Sequence, residues 1–264
     1  MTDGHALNEH ATIAWSEHDG VGLLELDRPE QRNGITNRMA RELWERLSSL
    51  RPRDDLKVVI LTGRGSSFCP GADLAHYSSG GPDEPLRSEY FEAAVLLHEL
   101  PQVTIAAING ACAGAGLGYA LACDLRVAAR GAKLNTAFLD VAVAGDMGTP
   151  WTLPRIVGAG VARELSFFPR KLTADEAAEL GLVNAVVEPD ELLAQVEGRA
   201  ATLASKAPLA LRGMKANYLA AERTGFADYV ALETERHRLI CASADCREAF
   251  SAFVEKRTPR FEGR

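Results

Sequence analysis

Between residues 103 and 124 the chain passes from an apolar run, Val103 to Ile108, through Asn109-Gly110 into a stretch of very small residues. Gly114, Gly116 and Gly118 stand at alternate positions, and Tyr119 to Cys123 reads as the body of a short buried helix. Few folds accommodate this, because a glycine inside a helix costs about 1 kcal/mol against alanine. The offsetting gain arises where a ligand or a neighbouring backbone must come very close. Free N–H groups at a helix start point one way, and the helix dipole makes that end positive. Such an end can hold an anion, or an oxygen that becomes one during a reaction. A tightly packed strand–turn–helix without chemistry fits the same residues. The glycines lack the Gly-x-Gly-x-x-Gly order of a dinucleotide fingerprint and no Gly-Lys-Ser/Thr follows, so neither nucleotide loop applies.

On either side of this stretch, punctuation and periodicity define the other elements. Thr12 to Ser16 and Val21 to Leu26 read as a strand pair turning at Glu17 to Gly20. Pro29 and Asn33-Gly34 mark a loop, and Ala40, Leu43, Leu47 and Leu50 recur at helical spacing within a helix over Thr36 to Leu50. Val58 to Leu61 is a buried strand, and Gly63 to Cys69 reads as a loop. Tyr77 to Pro85, rich in Ser, Gly and Pro, reads as the most mobile segment, and a helix is expected over Tyr90 to Leu100. Strands over Leu125 to Ala129 and Lys133 to Phe138 follow, then a helix opened by Pro150, another over Val161 to Phe168, and a Thr-x-x-Glu capping box at Thr173. A helix ending at Gly181 and a short strand over Leu182 to Val187 complete the mixed part. From about residue 190 the pattern is helical throughout, so 1–190 reads as a core and 191–264 as a helical appendage.

The chain has 264 residues, enough for one large packed unit, and its net charge of -7 disfavours a nucleic-acid partner. No apolar run approaches the ~18 residues of a membrane span, and the polar Met1 to His10 carries no secretory signal, so a cytoplasmic location is expected. The five cysteines include no Cys-x-x-Cys pair and read as reduced thiols. Cys241 and Cys246, with His237 as the one nearby histidine, make a poor metal set, and no metal is expected.

Several stretches together resemble the crotonase superfamily, the enoyl-CoA hydratase/isomerase family. They are Arg28-Pro29 with Asn33, Ser67 to Leu74, Ile108-Asn109-Gly110 with Gly114, Ala122-Cys123-Asp124, Leu172-Thr173 with Gly181 to Val183, and Ala252 to Arg257. The resemblance implies an α/β fold, a spiral of strand–strand–helix turns with C-terminal helices that assemble homotrimers or homohexamers. It implies an acyl-CoA substrate, with coenzyme A as part of that substrate and no permanently bound cofactor. By position, it assigns the two amides that polarise the thioester carbonyl to Ala72 and Ala115, the latter standing where the family usually has glycine. Contacts to coenzyme A fall on Arg32, Ala72, Asp73 and Leu74, and on Phe253 and Lys256, which reach it across a subunit boundary.

The resemblance also shows what is missing. The two glutamates with which family hydratases place and protonate water correspond to Gly118 and Phe138, and neither residue transfers a proton. Asp146, in Gly145-Asp146-x-Gly148, resembles the aspartate of double-bond isomerases and of aroyl-CoA dehalogenases in the family. A single carboxylate can remove a proton and return it elsewhere. Phe138 and Trp151 are expected to bury Asp146 and, with Tyr90 and the mobile segment, to form the acyl pocket. Alternatively, Asp146 caps the following helix or pairs with an arginine. His76 and Tyr119 are weaker proton carriers, Asp124 reads as structural, and spacing does not decide Asp140. The expectation is therefore isomerisation of an enoyl-CoA. Hydration by a non-standard acid/base pair, covalent chemistry on Asp146 and an acyl-CoA-binding homologue without catalysis are the competing readings.

Overall fold

The computed structural model describes residues 11–80 and 84–264, so the readings placed on Met1 to His10 and on residues 81–83 lie outside the described residues. The described strands form two sheets. β1 (Ile13–His18) and β2 (Val21–Leu26) make a hairpin whose turn, Asp19-Gly20, has positive φ at both positions, as a two-residue turn between twisted strands requires. Helix α1 (Asn37–Leu50) is capped by Thr36, whose Oγ1 accepts from Met39 N at 3.2 Å, and its buried stripe contains Ala40, Leu43, Leu47 and Leu50.

Three two-strand turns then follow. β3 (Val58–Gly63) leads to β4 (Ser67–Cys69), β5 (Val103–Ile108) to β6 (Ala111–Ala113), and β7 (Leu125–Ala129) to β8 (Lys133–Asn135). Helix α2 (Leu74–Ser78) and helix α3 (Glu92–Glu99) follow β4, and helix α4 (Ala115–Ala122) follows β6. The first strand of each turn joins the larger sheet, the second the smaller one, so the path is a spiral. β2, β3, β5 and β7 run parallel in the larger sheet. β3 is buried at every position because helices cover both faces, which explains its unbroken apolar sequence.

Helices α5 (Thr149–Val157) and α6 (Ala159–Phe167) lead to β9 (Leu172–Thr173), which closes the smaller sheet against β8. Helix α7 (Ala174–Glu179) starts with the expected capping box: Thr173 N donates to Glu176 Oε2 at 2.7 Å and Glu176 N to Thr173 Oγ1 at 3.1 Å. β10 (Ala185–Val187) completes the larger sheet beside β7. Four helices end the chain, α8 (Leu192–Ala204), α9 (Pro208–Ala221), α10 (Phe226–Cys241) and α11 (Ala244–Glu255). Leu192, Val196 and Ala200 of α8 pack on Val58, Ile60, Ile105 and Val127, while α1, α3 and α4 cover the other face of the sheet. Lys215 of α9 is buried and donates to Asp124 Oδ2 at 2.7 Å and Gln102 O at 2.9 Å, fixing the terminal helices to the core.

Several boundaries differ from the expected ones for local reasons. β4, read as loop, and β6, read only as part of a run of small residues, are three-residue strands, too short for a period to register. The strand begun at Lys133 stops at Asn135, and the one expected from Leu182 begins at Ala185. Tyr77 and Ser78, placed in the mobile segment, close α2. The helix expected from Tyr90 opens as a 3-10 turn over Ser88–Phe91 before α3.

Glycine 116 lets α4 lie against β4: a β-carbon there would come 2.2 Å from Cys69 O. Gly198, inside α8, has open space around it. Gly116→Ala should therefore destabilise the protein by about 1–3 kcal/mol through overpacking. Gly198→Ala should stabilise it by about 1 kcal/mol through helix propensity. Urea unfolding of the two variants measures both, and equal effects of the same sign would contradict the packing argument.

Candidate active site

β4 and β6 are parallel neighbours, with Ser67 opposite Ala111 and Cys69 opposite Cys112. The loops that leave their C-terminal ends must therefore lie side by side. The first is Pro70-Gly71-Ala72-Asp73, the second Gly114-Ala115. Each contains a glycine in a conformation that side chains resist, φ 101° at Gly71 and 52° at Gly114. A β-carbon built on Gly71 would sit 3.7 Å from Ala115 N and 3.2 Å from Ala113 O, so the loops touch backbone to backbone.

This contact positions two amides. Ile35 N donates to Gly71 O at 2.9 Å and Asp73 N to Ile35 O at 3.0 Å, a parallel bridge that leaves the N–H of Ala72 facing away from Ile35. Ala115 is the first residue of α4, where a helix has no internal partner for N–H. Neither amide donates to another group among the described residues. Ala72 and Ala115 line one cavity of about 200 Å³, which Tyr90 and Asp146 also line. Two unpaired amides beside a small cavity can hold an oxygen on which charge develops.

Asp146 is half-buried. Its carboxylate accepts from the adjacent Met147 N at 2.7 Å and has no other hydrogen-bond partner among the described residues. Among the described residues it neither caps α5 nor pairs with an arginine, since Gly148 stands at the cap without a side-chain bond and no ion pair there involves Asp146. Burial pushes its carboxyl above the ordinary carboxylate range, against the smaller opposing effect of the Met147 amide. The turn carrying it holds Gly145, Met147 and Gly148 at positive φ, a strained conformation for methionine.

Other expected residues lie elsewhere. Phe138 is buried but lines a separate apolar cavity of about 320 Å³ with Leu153 and Phe167; its ring edge lies 3.9 Å from where a β-carbon on Gly114 would sit. Trp151 faces outward, stacked under Arg155 at 3.7 Å and edge-on to His98 at 5.3 Å. Neither lines the cavity of Asp146, whose other walls include Met147, Ala115, Tyr77, Tyr90 and Phe91. Asp73 is held structurally, accepting from His76 N at 3.0 Å and from Arg28 at 2.9 Å. Arg32 and Leu74 are exposed, and Phe253 and Lys256 project from the end of α11, outside the cavity. His76 and Tyr119 each leave a buried polar atom unpaired, but neither lines the cavity, and Asp140 is exposed. Asp124 accepts from Thr104 N and Oγ1 as well as Lys215, which accounts for it structurally. Cys241 Sγ lies 3.4 Å from His237 Nε2, and no cluster of three metal-ligating side chains occurs among the described residues. No described helix is long and apolar enough to cross a membrane.

Asn37 and Tyr77 line the same cavity; Tyr77 opens the segment expected at the acyl pocket, whereas Asn37 was not singled out. The available signal was a polar residue, Asn37, directly after a Thr36 cap on a helix face that must be buried.

A sequence model described as enoyl-CoA hydratase/isomerase matches residues 16–264. The 1,2-epoxyphenylacetyl-CoA isomerase of Escherichia coli is 35% identical over 251 residues, covering 93% of this chain and 96% of its own. The crotonyl-CoA hydratase of Syntrophomonas wolfei is 31% identical over 255 residues, covering 96% of this chain and 98% of its own. An enoyl-CoA hydratase crystal structure from Bacillus anthracis superposes with a TM-score of 0.90 at 33% identity, over 96% of this chain and 100% of that one.

The environment of Asp146 sets a sign for stability. A carboxyl raised in the folded state binds its proton more tightly there than in the unfolded chain, so stability declines as pH rises from the ordinary aspartate value, about 3.9, through the raised one. Asp146→Asn removes this cost and keeps an acceptor for Met147 N. The variant should unfold at a higher temperature than the parent at pH 7, with the gap closing below about pH 4. A variant less stable at pH 7 would mean that the carboxylate is compensated.

Proposed function

Because this chain belongs to the enoyl-CoA hydratase/isomerase family, we propose that it moves a double bond within an enoyl-CoA, with Asp146 as the proton shuttle. The chain is an acyl-CoA enzyme of that family. The observation that carries the finer reading is that, among the described residues, Asp146 is the one carboxylate lining the cavity beside the Ala72 and Ala115 amides. In this reading the thioester oxygen accepts from both amides. Asp146 takes a proton from carbon, and the electron pair left behind moves through the conjugated system onto that oxygen. The charge returns as the carboxyl delivers the same proton to a different carbon, so no proton or electron is gained or lost. Burial, by raising the carboxyl, makes it a better base than an exposed aspartate.

Gly118 supports isomerisation over hydration. A β-carbon at this position would come 2.5 Å from Met147 Cβ and 3.2 Å from Asp146 O. The segment bearing Asp146 thus fills the space through which a glutamate from α4 would project. Coenzyme A enters as part of the substrate. Its adenine and pantetheine are assigned to the backbone over Ala72 to Leu74 and to Arg32, with Phe253 and Lys256 contributed by a neighbouring subunit. Exposed Phe226, Leu239, Phe250, Phe253 and Val254 on α10 and α11 form the apolar surface that supports assembly as a homotrimer or homohexamer.

Two variants separate the roles. Asp146→Asn should lower isomerisation of a 3-enoyl-CoA about 10²–10⁴-fold. Ala115→Pro deletes one amide at a first helical position, where proline is tolerated, and should lower kcat/KM about 10²–10³-fold with far-ultraviolet dichroism unchanged. Loss of the absorbance of crotonyl-CoA by hydration, at a rate matching isomerisation and indifferent to Asp146→Asn, would favour the hydratase reading instead.

A further inference from the structure

The cavity that Asp146 lines also contains a polar pair with fixed hydrogen-bond polarity. Tyr77 Oη donates to Asn37 Oδ1 at 2.8 Å, and Asn37 Nδ2 donates to Glu84 O at 2.8 Å. The direction of this chain is determined from its far end. Glu84 O can only accept, so the Asn37 amide must turn its NH₂ toward it and its oxygen toward Tyr77. That oxygen can only accept, so the phenol must spend its single proton on Asn37. Toward the cavity Tyr77 then offers lone pairs and no donor, and no described residue donates to it. Asn37 is buried, with both ends of its amide engaged, so it cannot reverse without breaking two bonds.

Much of the remaining wall is apolar, including Ile35, Leu86, Phe91 and Met147. In such a pocket the few polar groups, here the Asp146 carboxylate, the Ala72 and Ala115 amides, Tyr90 and the Tyr77–Asn37 pair, fix both the orientation and the kind of ligand accepted. Donating its proton to an amide also makes the phenol oxygen a stronger acceptor. We propose that Tyr77 is a specificity-determining residue that accepts a hydrogen bond from a hydroxyl group on the acyl chain, so that the protein selects hydroxylated acyl-CoA thioesters over their unsubstituted and oxo counterparts. A ketone has no proton to give, and its oxygen would face the lone pairs of Tyr77. The proposal rests on the acyl-CoA reading above but not on isomerisation, because it concerns how the acyl group is held.

The test is calorimetric binding of hexanoyl-CoA, its monohydroxy positional isomers and the matching mono-oxo isomers to the full-length protein and to Tyr77→Phe. Saturated chains report on recognition without turnover. At least one hydroxylated isomer should bind the parent about fivefold or more tighter than hexanoyl-CoA, the net worth of one hydrogen bond. Its oxo counterpart should show no such gain. Tyr77→Phe should abolish the preference while binding hexanoyl-CoA as the parent does, which also shows that the variant is folded. The proposal fails if no hydroxylated isomer is preferred, if the preference survives in Tyr77→Phe, or if the oxo isomers share it. If none of the thioesters binds the parent, the acyl-CoA reading itself fails, a result distinct from loss of the hydroxyl preference alone.

Discussion

The parallel pairing of two three-residue strands, β4 and β6, organises the whole site. Parallel neighbours end at the same edge, so the loops that follow them meet. Two glycines with positive φ, Gly71 and Gly114, let those loops touch at backbone distance. The outcome is a pair of unpaired amides whose position depends on the sheet and not on any side chain. This is why an alanine at position 115 is compatible with the arrangement. The donor belongs to the main chain, and a methyl group at a first helical position is sterically ordinary. Gly116, one residue later, has no such latitude, because Cys69 O occupies the space.

Three aspartates show how environment divides one residue type into different roles. Asp73 is partly buried, which alone would raise its carboxyl, but the His76 amide and the Arg28 guanidinium outweigh burial and hold it below the usual range. Asp124 is engaged by Thr104 and Lys215 and fixes α9 to the core. Asp146 is half-buried with one amide and, among the described residues, no cation, so burial prevails and its carboxyl is raised. A carboxylate that a fold leaves uncompensated in a cavity is a cost to stability, and it persists where chemistry uses it.

The larger sheet was legible in the sequence because fully buried parallel strands are apolar without interruption, as in Val58 to Leu61 and Val103 to Ile108. The Thr173 box was legible because capping is local. β4 and β6 were not, since three residues carry no period. Phe138 and Trp151 are near Asp146 in sequence, yet the left-handed residues Ala142, Gly145, Met147 and Gly148 turn the chain between them. Phe138 consequently faces a neighbouring cavity, and Trp151, one turn into α5, faces Arg155 and His98. Sequence proximity gave the neighbourhood of the carboxylate but not the side from which each ring approaches. The Tyr77–Asn37 contact spans 40 residues and two separate helices, so only the folded chain reveals it.

Gly118 connects these observations. It lies on α4, close behind the Ala115 amide, and the turn carrying Asp146 packs directly against it. A longer side chain at 118 and the present course of residues 146–149 exclude each other. The absence of a glutamate on α4 is therefore coupled to the placement of an aspartate on the facing turn, and the pair behaves as one structural choice. In the proposed reading, holding the developing charge falls to main-chain groups that survive such a choice. Moving the proton is assigned to side chains on whichever element fills the space. In the proposed reading such a division lets a scaffold keep its hold on the thioester while its reaction changes, which is compatible with relatives about one-third identical over nearly the whole chain that include both an isomerase and a hydratase.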